Sequence, residues 1–278
     1  MKRLFCLIAI LSCACAFAQM TPEFYKGQYE RQVKTLGYAG VGVENILDKW
    51  ERVAPEDGEM LKARFHYHYE KGRSEKMEVK DRTRFLGQKP VLTLKDSLGR
   101  DVNYFREEFF DDSEFALAST AIDKAVSLYP DELEYRLLKI SSLFTYEKDS
   151  PDMARLELDR IIDRNQAEHP AWTYMGEPVD EDTFVGIVQE YCYNFFTVGS
   201  PNSYEHFLAV SERMSKLYPK NPAFVSNIGT YWLVAKQNSK KASKFYKKAL
   251  KLNPDDYAAK KNLEIIQTLQ SQKGRSSK

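Results

Sequence analysis

The sequence predicts a mainly α-helical protein, an α-solenoid of stacked helix pairs with a small β-hairpin insertion near 75–107. Three observations support this fold class. Apolar residues recur every three or four positions through most of the chain, which places them on one face of a helix. A pattern of small and large residues that ends in a proline returns several times. One segment instead alternates apolar and polar residues, as a half-buried strand does.

The first residues have the features of a secretory signal peptide. Lys2 and Arg3 make the start positive, Leu4–Leu11 is an apolar run, and the small-x-small segment Ala16–Ala18 precedes Gln19. An apolar run of eight residues is too short to cross the ~30 Å hydrocarbon core of a bilayer. We therefore expect cleavage after Ala18 and export, with a periplasmic or envelope-associated location.

The cysteines leave a second interpretation of this start open. Ile10–Cys13 loosely matches a bacterial lipoprotein cleavage box, in which Cys13 would become the lipidated first residue. Of the four cysteines, Cys192 alone follows the predicted signal, so the mature chain can form no internal disulfide. Its stability must then come from the hydrophobic core.

Charge is unevenly distributed along the chain. Residues 236–278 contain twelve Lys and Arg against three acidic residues, a net charge of +9, and residues 19–235 carry −10. Lys240, Lys244, Lys247, Lys248 and Lys251 are spaced so that they share one helix face. This face is either a solvated cap or a contact for an acidic partner or an anionic envelope surface.

The clearest repeat runs from Pro222 to Pro254. Its first half contains Val225, Ile228, Gly229 and Trp232, and its second half contains Ala242, Tyr246 and Ala249 before the proline. The second half returns at Ala118, Ile122, Ala125 and Pro130, and in weaker form at Phe207, Ser211, Met214 and Pro219 and at Val43, Leu47, Trp50 and Pro55. Small residues two helical turns apart let a neighbouring helix approach closely, and the proline ends the helix.

This order of residue classes resembles the tetratricopeptide repeat (TPR), with one extra residue in the turn at Lys236–Ser239. The chain is identified as a secreted bacterial member of that family. The resemblance implies a right-handed stack with a concave groove, lined by the first helix of each pair, that binds peptides or proteins. By register with Ile228 and Gly229, the groove-facing residues are Ala223, Ser226, Asn227, Thr230, Leu233 and Val234. Family members that hold a C-terminal carboxylate use Lys and Asn, and Ser226 and Thr230 depart from that, so this ligand is not expected here.

Periodicity, prolines and caps together predict the positions of the helices. The expected helices are 22–36, 43–54, 57–71, 112–129, 132–147, 151–165, 181–198, 203–218, 222–236, 239–252 and 256–270. The predicted organisation is a signal peptide (1–18), TPR-like helices (19–73), a β-hairpin insertion (74–110), TPR-like repeats (111–270) and a disordered basic tail (271–278).

Two segments break the repeat. In the first, Leu92, Leu94, Val102 and Tyr104 alternate with polar residues around a turn at Asp96–Gly99, which predicts a hairpin with Met77–Val79 as a third strand. The alternative is that Val102–Phe110 is a degenerate first helix of the repeat that ends at Pro130. The second break, 165–180, contains Trp172 and Tyr174, which either bind a partner or cover the ends of helices.

Residue types that could support catalysis or metal binding lack the required spacing. His66 and His68 are two apart and do not share a helix face, and Cys192 lies in an apolar helix with no base nearby in the sequence. Gly37–Gly42 follows a helix instead of a strand, and the acidic residues at 111–114 and 180–182 are typical of helix starts. We expect no catalytic residue, cofactor or metal, and, in a chain that is not basic overall, no nucleic-acid partner.

The sequence thus predicts a non-enzymatic scaffold that binds a protein or peptide in the bacterial envelope. Candidate partner-binding residues are Ser226, Asn227, Thr230, Val234, Trp172, Tyr174, Lys244 and Lys248. The alternatives are a lipid-anchored assembly component, if Cys13 is lipidated, or an enzyme that uses the aromatic loop at 165–180.

Overall fold

The computed structural model describes residues 21–276, and within that range the chain is mainly helical. The helices are α1 (Pro22–Leu36), α2 (Val43–Val53), α3 (Gly58–Gly72), α4 (Asp112–Leu128), α5 (Leu133–Glu147), α6 (Asp152–Glu168), α7 (Glu181–Val198), α8 (Pro201–Leu217), α9 (Pro222–Val234), α10 (Ser239–Leu252) and α11 (Tyr257–Ser276). The strands are β1 (Arg73–Lys80), β2 (Leu92–Lys95), β3 (Asp101–Phe110), β4 (Thr173–Tyr174) and β5 (Glu177–Pro178).

These bounds agree closely with the sequence prediction, with one clear difference at the end of the chain. Helix α11 continues to Ser276, so most of the segment expected to be a disordered tail is helical. The predicted signal peptide, its cleavage after Ala18 and the alternative at Cys13 lie outside the described residues. Among residues 21–276, no helix is both long and apolar enough to cross a membrane.

The described chain divides into two compact units. The first contains the described residues up to Glu78, together with Arg106–Ser142 and Ala171–Pro178. The second contains Val79–Phe105, Leu143–Pro170 and the described residues from Val179 onward.

Helix starts are set by side chains that satisfy the unpaired N–H groups of the first turn. The Asp111 carboxylate accepts from the amides of Ser113 and Glu114 at the start of α4. Asp180 likewise accepts from the amide of Thr183 at the start of α7. Asp111 and Asp180 in the acidic clusters at 111–114 and 180–182 are therefore helix caps, and the other acids lie in the first turns, as predicted.

The repeat pattern of the second unit corresponds to a close helix contact. Ala242 and Ala249 on α10 are fully buried, together with Ala259 on α11, as the spacing predicted. Gly229 on α9 faces the ring of Tyr246, and a Cβ at Gly229 would lie 2.8 Å from that ring. Small residues on both helices thus let α9 and α10 approach each other.

The first unit has a core of the same kind. Val43, Leu47 and Trp50 on α2 and Ala118 and Ile122 on α4 are buried in one cluster. These are the residues that match the second half of the repeat in 43–55 and 113–130. The weaker match at 43–55 therefore marks a helix of the same type as the stronger one.

The β-insertion lies between the two helices of one pair. Helix α3 ends at Gly72 and α4 begins after Asp111, whose amide donates to the Gly72 carbonyl oxygen over 2.9 Å. A Cβ at Gly72 would meet the Cβ of Glu114 at 2.8 Å, so the glycine permits this approach. Because the ends of the insertion meet, α3 and α4 pack as directly as two consecutive helices do. The entropy cost of closing a loop rises only slowly with its length, so the helix pair tolerates a long insertion.

The predicted hairpin is confirmed, and the helical alternative for Val102–Phe110 is wrong. Strand β2 pairs antiparallel with β3, with Leu92 opposite Tyr104 and Leu94 opposite Val102. The Asp96 carboxylate closes the turn by accepting from the amides of Leu98 and Arg100. The third strand, β1, is longer than the expected Met77–Val79, and the sheet order is β1-β3-β2.

Candidate functional site

The first helices of successive pairs supply the residues of a groove in the first unit. Two adjoining cavities, of about 240 and 440 Å³, share Lys26 of α1, Glu59 and Lys62 of α3, and Glu134 of α5. The smaller cavity is completed by Tyr29, Glu30, Tyr38, Trp50, Ala63 and His66, and the larger by Glu132, Tyr135, Met175 and Gly176. We call these two cavities together the charged groove.

A chain of ion pairs crosses the floor of the charged groove. Lys62 Nζ lies 2.7 Å from Glu59 and 3.1 Å from Glu134, and Lys26 Nζ lies 3.3 Å from Glu59. Burial acts to lower the pKa of Lys62, but the bonds and charges of Glu59 and Glu134 outweigh it, and the pKa is raised. Lys62 therefore stays charged and ties α3 to α5.

Aromatic rings form the other side of the smaller cavity. Tyr38 stacks on His66 with ring centroids 4.7 Å apart, and Tyr29 lies 6.1 Å from the buried ring of Trp50. Tyr29 is only 8% exposed, and its hydroxyl has no hydrogen-bond partner among the described residues. A buried hydroxyl without a partner destabilises the folded protein, so a ligand that bonds to this hydroxyl would recover that free energy.

The environment of the smaller cavity also changes the pKa of His66. Burial, and then the nearby charge of Lys62, lower its pKa to about 4 from an ordinary value of 6.5. The imidazole is therefore neutral at neutral pH. It adds a flat polar ring to the cavity without adding charge.

We expect His66 to make the protein less stable as the pH falls from about 6.5 to about 4. In that window the unfolded chain binds a proton that the folded chain rejects, so the free energy of unfolding decreases with decreasing pH. The His66 contribution to this decrease between about pH 7 and pH 5 is about 2 kcal/mol. Urea unfolding at these two pH values measures it.

His66→Phe keeps the ring volume and should remove this part of the pH dependence. His169→Asn is the matched control, because His169 is exposed and ends α6 in a left-handed conformation that Asn tolerates. An equal loss of stability in wild type and His66→Phe would contradict the assignment.

Met175 and Gly176 of the aromatic loop line the larger cavity of the charged groove. Its strands β4 and β5 are held by Glu132, whose carboxylate accepts from the amides of Met175 and Gly176 at 3.0 and 3.3 Å. Trp172 is buried, with Arg136 over its ring at 5.8 Å, while Tyr174 is exposed. The loop therefore covers core with Trp172 and presents Tyr174 and Met175 to solvent.

The other sequence-predicted binding residues lie in the second unit, and they do not line a common cavity in the described part of the chain. Ser226 and Asn227 are buried, and their side chains bond to Asp256 and Gln189. Contrary to the expected groove-facing register, their polar atoms are therefore used within the fold. The side chain of Thr230 bonds to the Ser226 carbonyl and the Tyr246 hydroxyl.

The remaining candidates are exposed. Val234 at the end of α9 lines a separate cavity in the second unit. Lys244 and Lys248 lie on the solvent side of α10, opposite Ala242 and Ala249. Whether these residues contact a partner stays a prediction.

The charged groove has no distinct signal in the sequence. Glu59, Lys62 and His66 are three and four residues apart, so the sequence did place them on one helix face. That spacing is also typical of any solvated helix face, and α3 lacks the Gly and Ala pattern that marks the repeat elsewhere. The partners Lys26 and Glu134 come from distant segments, which only the folded chain brings together.

The described residues offer little that would support catalysis. Within residues 21–276, no group of three or more His, Cys, Asp and Glu side chains is placed to hold a metal ion. Cys192 is fully buried, and burial raises the pKa of its thiol to about 12. A thiol in that state is a packing group, because the nucleophile is the thiolate.

Comparison with known proteins adds one structural neighbour. No family model matches the chain, and no curated protein matches it. The crystal structure of the P58(IPK) TPR domain is similar over 91% of this chain and 66% of that one, at 13% identity and a TM-score of 0.22. The chain thus spans just under two thirds of the neighbour's length. Independently of that neighbour, the contact of Gly229 with Tyr246 and the buried Ala242 and Ala249 show that α9 and α10 pack closely through small residues, as the repeat pattern predicted.

Proposed function

We propose that this protein is a non-enzymatic scaffold that binds a segment of a protein partner in the charged groove. The observation that carries the proposal is the buried Tyr29 hydroxyl, which lacks a partner among the described residues and belongs to a residue that lines the smaller cavity. A cavity of about 240 Å³ has the size of one large side chain. The adjoining 440 Å³ cavity leaves room for the residues beside it.

The charges of the groove favour a basic segment. Lys26 and Lys62 face four carboxylates, those of Glu30, Glu59, Glu132 and Glu134, which leaves a local charge of −2. A Lys or Arg side chain of the partner would meet both these carboxylates and the faces of the aromatic rings, which attract cations. Charge complementarity of this kind also accelerates association at low salt.

Tyr29→Phe separates a binding role from a structural one. Removing a buried hydroxyl that has no partner should leave the protein as stable as wild type or more stable, by about 1 kcal/mol. The same change should weaken binding of peptides selected on the wild-type protein from a displayed random library, since the ligand loses its bond to the hydroxyl. Chemical denaturation and a peptide titration are the two measurements.

Two double variants test whether the charged groove prefers basic peptides. Glu59→Gln with Glu134→Gln should weaken the binding of basic peptides, while Glu190→Gln with Glu212→Gln, an equal charge change at exposed positions of α7 and α8, should not. Selected peptides without basic residues, or equal losses in both double variants, would contradict the proposal.

We also propose that the chain is exported and acts in the envelope. The support is the N-terminal sequence, with its basic start, apolar run and small residues before Gln19. Mass spectrometry of the mature N-terminus decides between two forms. A start at Gln19 supports the soluble form, and a lipidated Cys13 supports a lipid-anchored assembly component.

The basic end of the chain supports a second contact, with an anionic envelope surface or an acidic partner. Lys240, Lys244, Lys247, Lys248 and Lys251 are exposed, and no ion pair joins them to another described residue. The side chain of Lys241, in contrast, lies 3.2 Å above the ring of Trp232. Unpaired lysines in a row repel one another weakly, and an anionic surface beside them would lower the free energy of the protein by attraction.

Lys244→Glu with Lys248→Glu should reduce co-sedimentation with anionic vesicles or envelope fractions, and raised salt should act in the same direction. Lys34→Glu with Lys49→Glu makes the same charge change at exposed positions of α1 and α2 and serves as the control. If binding is indifferent to the α10 variant and to salt, the lysine face is a solvated cap.

An enzyme built on the aromatic loop has less support. Trp172 is buried, and the Glu132 carboxylate is already engaged by the amides of the loop. Neither group is then available to a reacting molecule.

A further inference from the structure

A second cavity, formed entirely by residues of the second unit, has a different chemistry from the charged groove. Its volume is about 430 Å³, and its walls carry Arg82, Arg84, Asp149, Tyr193, Phe196 and Tyr204. We call it the arginine pocket. It brings the segment before β2, the turn before α6 and the corner between α7 and α8 to one place.

The segment that carries the two arginines is held in place by its own turn. Phe85 and Gln88 exchange backbone hydrogen bonds of 3.0 and 2.9 Å around Leu86 and Gly87, both of which have positive φ angles. Phe85 is buried against Phe105, with ring centroids 5.9 Å apart. The turn is therefore anchored by an aromatic contact on one side.

The tip of this turn rests on the last turn of α7. A Cβ at Gly87 would lie 2.6 Å from the carbonyl oxygen of Thr197, so a glycine is needed for this approach. The side-chain amide of Asn103 also donates to the Arg82 carbonyl oxygen over 3.1 Å, which fixes the backbone at the first arginine. Both arginines are thus presented by backbone whose position is set.

Positive charge exceeds negative charge in the arginine pocket. The Arg82 guanidinium is 3.8 Å from the Asp149 carboxylate, a long contact between half-exposed groups that contributes little. Arg84 has no ion pair or hydrogen bond with any residue in the described part of the chain. A guanidinium in this state is ready to bind the oxygens of a carboxylate or phosphate in bidentate fashion.

Beside the arginines stands an aromatic wall. The Phe196 ring lies 5.5 Å from Tyr193 and 5.6 Å from Tyr204, and Tyr193 is exposed. Flat aromatic faces stack on flat or apolar rings. Pockets of this size that combine an apolar wall with few charged groups are typical of small-molecule sites.

We propose that the arginine pocket binds a small anionic ligand in which a phosphate or carboxylate group is attached to a flat ring. The anionic group pairs with Arg84 and Arg82, and the ring lies against Tyr193 and Phe196. This site is independent of the peptide contact proposed for the charged groove, since the two share no residue.

Calorimetric or NMR titration of the full chain with phenyl phosphate and benzoate tests the proposal, and the two probes distinguish the anionic groups. Phenol, which has only the ring, and inorganic phosphate, which has only the anionic group, are titrated as controls for the two halves of the ligand. We expect phenyl phosphate or benzoate to bind in the millimolar range or tighter, and more tightly than either half. Arg84→Gln should weaken that binding about tenfold or more, since it removes a charged hydrogen-bond donor.

Two further variants make the outcome specific. Lys89→Gln removes one positive charge from the same segment outside the pocket, and it should leave binding unchanged. Tyr193→Ala should weaken phenyl phosphate while leaving inorganic phosphate unaffected. No binding of either probe at millimolar concentration, an equal loss with Lys89→Gln, or phenol binding as tightly as phenyl phosphate would overturn the proposal.

Discussion

Trp50→Ala is expected to lower the free energy of unfolding by about 3–5 kcal/mol, the usual cost of emptying a large buried aromatic site. Trp50 is 1% exposed and contacts the Tyr29 ring across the core of the first unit. Its indole N–H also donates to the Asp57 carboxylate over 2.9 Å, and Asp57 caps α3. The substitution therefore removes packing from α2 and a bond from the start of the next helix. Urea unfolding followed by circular dichroism measures the loss.

Trp50→Phe divides this loss into its two parts. Phe keeps much of the ring volume and loses the N–H, so the cost of the missing bond should be about 1 kcal/mol, with a further contribution from the smaller ring. Asp57 still caps the helix through the amide of Glu59. A Trp50→Ala variant as stable as wild type would show that α2 is not part of the core.

Ala249→Leu is expected to destabilise the second unit by about 1–3 kcal/mol, because it adds three carbons where no space exists. Ala249 is fully buried on α10 in a cluster that includes Tyr246 and Ala259. Gly229 of α9 lies close against the Tyr246 ring, so the ring cannot move toward α9 to make room for a larger side chain. The measurement is the midpoint of thermal or urea unfolding.

Ala258→Leu is the matched control, since it makes the same substitution at an exposed position of the adjacent helix. It should change stability by a few tenths of a kcal/mol at most. A melting temperature that Ala249→Leu leaves unchanged would contradict the repeat assignment in this part of the chain.

Secondary structure was predictable here because its signals are local. Start signals such as Asp111 and Asp180 satisfy amides only two or three residues away, and prolines such as Pro219 and Pro254 stop a helix wherever it is packed. The hairpin was predictable for the same reason, since Asp96 closes the turn from within it. Helix α11 is longer than predicted, because the residues up to Ser276 carry no local signal that distinguishes the end of a helix from a polar tail.

The environment of the predicted groove positions on α9 depends on contacts with other helices. The family register places Ser226 and Asn227 toward a groove, but their side chains bond to Asp256 and Gln189, which come from other helices. A register specifies the face of one helix, and it does not specify which neighbours cover that face. Burial of a polar residue is decided by the partners that reach it.

Taken alone, the sequence determined the helices, the hairpin, the small residues of the helix contacts and the charge of each segment, since all of these depend on neighbours along the chain. Tertiary structure alone decided that α3 and α4 form a pair across the insertion, through the approach of Asp111 to Gly72. It also decided that Lys62 meets Glu134, that the Tyr29 hydroxyl is left without a described partner, and that the pKa of His66 falls to about 4. These properties arise from burial and from pairs of residues far apart in sequence, whose distances no local pattern contains.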